Sequence, residues 1–253
     1  MKLIKHGKVS SCMTDPLANL SVIGCFQIAE EKTVTELMGK LKIDGITVKK
    51  AYNAVWVFAK SKLKVISNLA WNEQYTVVGF ISRVTRVSMD IDVEIKNESD
   101  ELCAYLRVEL CALDLQSGKI RRVSTVGVDD SIPTETPETD LSFSKFDADN
   151  LPQTAQVKIK YTNIDFAGHT NNKEYIRFIL NTYSVRELEE RPIKEMDIVY
   201  INQTYENDVL SVQKSNGKDR DVIAIQKDGD HVVKSEIVRS DSKTDGNDIE
   251  QFP

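Results

Sequence analysis

Between residues 102 and 113 every even position is apolar. Leu102, Ala104, Leu106, Val108, Leu110 and Ala112 are apolar, while Arg107 and Glu109 fall on the other parity. Side chains of a strand point to its two faces in turn, so this pattern predicts a strand with one face buried. The Val-, Ile- and Thr-rich stretch 74–96 is long enough for two more strands. The polar run Asn97-Glu98-Ser99-Asp100 predicts a hairpin between 87–96 and 102–115. Upstream, 15–38 predicts a helix with Asp15 or Thr14 near its N-cap and Pro16 at its first position. Its apolar residues, from Leu17 to Met38, spread around much of the circumference, which predicts a helix enclosed by its surroundings. Gly24 in its middle would let a backbone or a ligand come close.

From 129 to 152 apolar residues thin out and Pro133, Pro137 and Pro152 mix with Asp, Glu, Ser and Thr. That composition predicts a linker. After it, 155–161 alternates like a strand. Asn172, Tyr175, Ile176, Ile179 and Tyr183 then mark one face of a helix over 171–189, with Asn171 and Glu174 at capping-box spacing. Strand-like segments follow at 197–205, 209–213, 221–226 and 231–239. Each half therefore reads as a helix followed by antiparallel strands. Val65, Asn68 and Trp71 find an echo in Val199, Asn202 and Tyr205, offset by 134 (199 − 65), which suggests a tandem duplication. A helix wrapped by one curled antiparallel sheet is a hotdog domain. The expected class is α+β, a double hotdog with domains at 1–128 and 153–240, a linker at 129–152 and a polar tail at 241–253.

Composition narrows the function classes. A net charge of −6 argues against a nucleic-acid partner, which needs clustered Lys and Arg. No apolar run approaches the roughly 18 residues of a membrane span, and the start of the chain is charged where a secretory signal would be apolar. A cytoplasmic protein is expected. Cys12, Cys25, Cys103 and Cys111 lack metal-ligand spacing, so reduced thiols and no metal site are expected. No phosphate-binding glycine loop appears, and no cofactor is expected.

Of the three histidines, His6 and His231 fall where exposure is expected, near the terminus and at a turn. His169 differs. It stands four residues after Asp165, with Gly168 between, immediately ahead of the second helix. A helix N-terminus presents unpaired N–H groups and a positive dipole end, which can stabilise an oxyanion on a carbonyl. A carboxylate and an imidazole there can activate a water. Asp, Gly, Thr and Asn ahead of a helix are equally what a capped loop requires.

The segment Asp165-Phe-Ala-Gly-His169-Thr-Asn171-Asn172-Lys-Glu-Tyr175 resembles a motif of the acyl-acyl-carrier-protein thioesterases of bacteria and plastids, in which Asp, His, two Asn and a following Tyr keep this order and spacing. The likeness extends loosely from Val9 to Arg239. It implies hydrolysis of fatty acyl thioesters of acyl carrier protein, in fatty acid biosynthesis, with Asp165 as base or nucleophile and His169 polarising the carbonyl or holding the water. Asn171 and Asn172 complete the motif. Two positions depart from it. Ala167 stands where the family has an Asn, and Gln203 where it has a Glu; Gln203 can orient a water but cannot take its proton.

The resemblance also implies an acyl tunnel in the first domain, for which Leu20, Ile23, Gly24, Val57 and Phe58 are the expected wall, with Gly168 near the mouth. An acidic carrier protein implies a basic docking patch, at Lys119, Arg121 and Arg122 or at Lys60, Lys62 and Lys64. The tandem copies can pair their sheets within one chain, giving a monomer or a homodimer. Two alternatives stay open: an acyl-CoA thioesterase, and a non-catalytic acyl-binding double hotdog motivated by Ala167 and Gln203.

Overall fold

The computed structural model describes residues 1–129, 131–139 and 141–241 of the chain. The first half runs β1 (Leu3–Lys8), α1 (Val22–Ala29), a π-helical turn (Glu30–Val34), α2 (Thr35–Lys40), α3 (Gly45–Tyr52), β2 (Ala54–Val65), β3 (Gln74–Val84), β4 (Ser88–Lys96), β5 (Leu102–Asp114) and a short β6 (Ile120–Arg121). The second runs β7 (Gln153–Lys158), α4 (Asn172–Leu180), α5 (Val185–Glu190), β8 (Ile193–Tyr200), β9 (Val209–Asn216), β10 (Arg220–Lys227) and β11 (Asp230–Arg239). All pairing is antiparallel, in the order β1-β3-β4-β5-β2-β8-β11-β10-β9-β7, with β6 beside β5. The last five strands repeat the first five in mirror order. The fold is a double hotdog whose two sheets join at β2 and β8.

The duplication is visible bond by bond. Asp15 N donates to Asn19 O, as Asp165 N does to His169 O, and Ser21 N donates to Met13 O, as Asn171 N does to Asn163 O. These pairs are offset by 150 (165 − 15). Beyond the helices, Leu20 N donates to Leu69 O, as Thr170 N does to Thr204 O. That offset is 135 (204 − 69), so the echo at 134 is out of register by one. A one-residue slip turns each side chain to the wrong face of a strand, so Gln203 is the counterpart of Asn68 and Tyr205 that of Ala70.

The expected helix over 15–38 begins later. Asp15 Oδ1 accepts from the N–H groups of Leu17 and Asn19, each at 2.9 Å, and Thr14 bridges to Leu20. This folds 14–20 into a loop, and the N-cap is Ser21, whose hydroxyl accepts from Gly24 N. The second helix is also shorter than 171–189. It stops at Leu180 and restarts at Val185, because Ser184 and Glu187 form a capping box of their own. Glu174 does not cap Asn171; it accepts from Asn163 Nδ2 at 2.8 Å. Gly24 is required by backbone. A Cβ there would run into the Met13 carbonyl oxygen and lie 2.8 Å from Leu20 Cδ1. We expect Gly24→Ala to lose about 1–3 kcal/mol of stability by overpacking, read from the urea midpoint. An unchanged midpoint would show that the 13–21 loop moves aside freely.

Around β4 and β5 the sheet is covered on both faces, which corrects the half-buried strand expected at 102–113. Tyr105, Asp90, Asp92 and Glu94 are buried on the face away from the helices. Arg107 Nε and Nη2 each hold Asp92 at 2.7 Å, and Tyr105 OH donates to Asp92 at 2.6 Å. The stretch expected as a linker lies over this face. Arg107 Nη1 donates to Leu141 O, Ser144 N donates to Asp197 Oδ1, and Leu141 and Ala148 are buried. His231 is held as well, its Nε2 2.8 Å from Asp149 Oδ1. Apart from Asp241, the expected polar tail lies outside the described residues.

At the joint, Lys62 of β2 faces Asp197 of β8. The two are counterparts in the duplication, so the pseudo-twofold axis passes between them. Lys62 Nζ lies 2.9 Å from Asp197 Oδ2 and 3.5 Å from Glu195 Oε2, with both Lys62 and Asp197 almost wholly buried.

Candidate active site

The 163–171 loop sits between a short 3-10 turn (Tyr161–Asn163) and α4. Asp165 Oδ1 accepts from Ala167 N at 2.8 Å and from His169 N at 3.3 Å, and Gly168 takes a φ of +85° that favours glycine. Asp165 thus holds His169 through its backbone. The His169 ring packs edge-on against Tyr205, with centroids 5.2 Å apart. Asn171 caps α4, accepting from Lys173 N at 3.0 Å. Glu174 N is taken by the Asn171 carbonyl, which leaves Asn172 N as the first-turn donor open to a ligand among the described residues.

Behind this loop a buried hydroxyl chain ties the helix start to the segment after β8. Thr204 Oγ1 lies 2.7 Å from both Thr170 Oγ1 and Tyr175 OH. Burial pushes the Tyr175 hydroxyl up, so it stays protonated and able to donate. Gln203, next to Thr204, is exposed. The structure therefore brings Asp165, His169, Asn171 and Asn172 onto one loop and helix start, and leaves the Gln203 side chain at the surface.

A narrow cleft of about 360 Å³, including its open mouth, runs between α1 and α4. Phe26, Glu30, Phe58, Asn172, Lys173 and Tyr200 are among its walls. Burial pushes the Tyr200 hydroxyl up as well, so the wall stays neutral there. Lys173 Nζ bridges the halves, 3.6 Å from Glu30 and 3.9 Å from Glu31. Of the residues expected to line a tunnel, Phe58 faces this cleft. Val57 is its neighbour on a strand and points to the opposite face, so the two cannot share a wall. Leu20 and Ile23 are partly buried against the core. Gly24 packs against the 13–21 loop and Gly168 is exposed in its own. Glu30, Lys173 and Tyr200 were not singled out from the sequence. Lys173 alone had a signal, as a charge in the first turn of a helix whose counterpart in the first copy is Ile23.

That first copy acts as an internal control. Asp15 accepts from two amides in the same way as Asp165, and Ala18 takes the left-handed place of Gly168 with φ +58°. The fold at this point requires only an Asp. It accepts Asn19, Val22 and Ile23 where the second copy has His169, Asn172 and Lys173. We expect Asp15→Ala and Asp165→Ala to lose similar stability, about 1.5–3 kcal/mol each, as hydrogen bonds to a charged group are lost. Urea unfolding of the pair checks this, and a large asymmetry would show that the two loops do unlike work.

Residues 147–247 match the family model of the acyl-ACP thioesterase C-terminal domain. That match covers 101 (247 − 147 + 1) of the 253 residues, all in the second half of the chain. No curated protein matches the chain in sequence. Among solved structures, an acyl-ACP thioesterase from Bacteroides thetaiotaomicron is 17% identical and superposes with a TM-score of 0.79, covering 94% of this chain and 98% of that one. The 12:0-ACP thioesterase from Umbellularia californica is 13% identical with a TM-score of 0.80, covering 94% and 97%. At such identities these likenesses establish the double-hotdog fold across both halves, and the family match supports an enzyme acting on thioesters. Among the described residues no helix is long and apolar enough to cross a membrane, and no group of three or more His, Cys, Asp or Glu could hold a metal ion.

Proposed function

We propose that the chain hydrolyses fatty acyl thioesters of acyl carrier protein in the cytoplasm, releasing free fatty acids in fatty acid biosynthesis. The observation that carries this reading is the polar start of α4. Where the first copy keeps the same Asp-centred loop with Asn19, Val22 and Ile23, the second has His169, Asn172 and Lys173, of which Asn172 and Lys173 line a cleft with apolar walls. Hydrolysis needs a water aimed at the thioester carbonyl and a donor for the oxyanion. With the Asp165 carboxylate engaged by backbone amides, His169 is the group that takes the proton from water. Asn172 N–H, at the positive end of α4, meets the oxyanion. Asp165 positions His169.

Gln203 and Ala167 favour a second reading, acyl binding without turnover. Free-thiol release from a panel of acyl-carrier-protein thioesters, beside matched acyl-CoA thioesters, separates the readings. Faster turnover of the carrier-protein thioesters supports the proposal, while preference for CoA would reassign the carrier. Binding with no multiple turnover on either panel would leave the acyl-binding reading.

A further inference from the structure

The candidate loop is bordered by exposed aromatic side chains. Tyr161 is 84% exposed, Phe166 is 104% exposed and Tyr205 is 49% exposed. The duplication shows that the fold does not ask for them. Their counterparts are Ser11, Pro16 and Ala70, also exposed, and the two loops share the hydrogen bonds centred on Asp15 and Asp165. The second copy has therefore placed three rings in water where the first placed small residues. Tyr205 connects them to the candidate site, because its ring touches His169. Lys158 and Lys160, both exposed, stand directly before Tyr161.

Of the basic patches expected from the sequence, Lys119 and Arg122 stay exposed, while the other members are engaged within the chain. Lys60, Lys62 and Lys64 are paired with Glu109, Asp197 and Glu195. Arg121 is turned inward, with Nη1 donating to Tyr52 O at 2.6 Å.

Resting on the thioesterase reading, we propose that Tyr161 and Phe166, flanked by Lys158 and Lys160, form the surface on which the acidic carrier protein docks. Exposed aromatic residues serve as anchors at protein interfaces, and rim lysines steer an acidic partner. A carrier seated there lies beside His169 and delivers its thioester arm to the start of α4. Coenzyme A presents no protein surface, so it gains nothing from the patch.

The test uses Tyr161→Ser and Phe166→Pro, substitutions that the first copy already carries, with Phe166→Ser in reserve should the proline variant fail to fold. KM for an acyl-carrier-protein thioester should rise about tenfold or more, the size of an interface anchor. The kcat on that substrate should hold, and kcat/KM on the matched acyl-CoA thioester should stay unchanged. Trp71→Glu is the control. Trp71 is exposed on the first copy, where the second has Glu206, and its loss should change neither substrate. An unchanged KM in the Tyr161 and Phe166 variants, equal losses on both substrates, or an equal effect of Trp71→Glu would overturn the proposal. So would a parent that sizes as a dimer and variants that size as monomers, because the patch would then be a contact between copies. If the parent turns over no thioester, the thioesterase reading fails by itself. Calorimetric binding of the holo carrier protein then decides the docking surface: weaker binding by the variants supports it, and equal binding refutes it.

Discussion

His169→Asn should fold as the parent does and turn over acyl thioesters about 10²–10⁴-fold more slowly, the usual contribution of a general acid or base. Asparagine is the informative replacement because Asn19 occupies the same place in the first copy, with its backbone carbonyl accepting from Asp15 N as that of His169 accepts from Asp165 N. The loop thus loses an imidazole without losing its geometry. The reciprocal change, Asn19→His, should leave the rate alone, since the helix it precedes opens on Val22 and Ile23. A His169→Asn protein with the parental kcat would place the proton transfer elsewhere. One that melts early would show that the ring, through its 5.2 Å contact with Tyr205, carries structure as well.

The largest loss of stability is expected from Asp197→Ala, about 3–5 kcal/mol, because it leaves Lys62 charged and buried without its nearest partner. Ser144 Oγ at 3.3 Å and Glu195 at 3.5 Å remain, and they are more distant. Replacing both members, with Lys62→Met and Asp197→Leu, should recover most of that loss or exceed the parent, since two desolvated charges are then removed together. Urea midpoints of the single and double variants form the cycle that checks it, and a double variant as weak as the single would show that packing at the joint is at fault. The position gives the pair a second consequence. Two first halves meeting at this axis would bring Lys62 against Lys62, and two second halves Asp197 against Asp197. Only the tandem arrangement brings opposite charges together.

Much of the candidate site was legible from the chain. Asp165, His169 and Asn171 stand close in sequence, and a loop entering a helix is a local structure. The hydrogen bonds of Asp165 and the cap at Asn171 join residues within four positions of each other, so type and spacing suffice for them. The 102–113 strand and its hairpin were legible for the same reason, since alternation and a polar turn are local signals. Asp44, which accepts from the N–H groups of Ile46 and Thr47, caps α3 with an equally local signal.

By itself the sequence determined the strands of the long sheet, the helix start at Asn171, the two-copy organisation and the motif that marks the second copy. Tertiary structure decided the rest, because each remaining feature is a relation between segments far apart in the chain. The true offset of 135 follows from which amide meets which carbonyl across the sheet, and a chance identity at 134 could not reveal it. The buried back of the sheet depends on the stretch from Leu141 to Asp149 lying over it, although that composition reads as solvent-loving; Arg107 donates to the Leu141 carbonyl and the Ser144 amide to Asp197. The cleft between α1 and α4 and the Lys62–Asp197 pair exist only once the two halves fold against each other, and Tyr205 meets His169 only once the second half has folded.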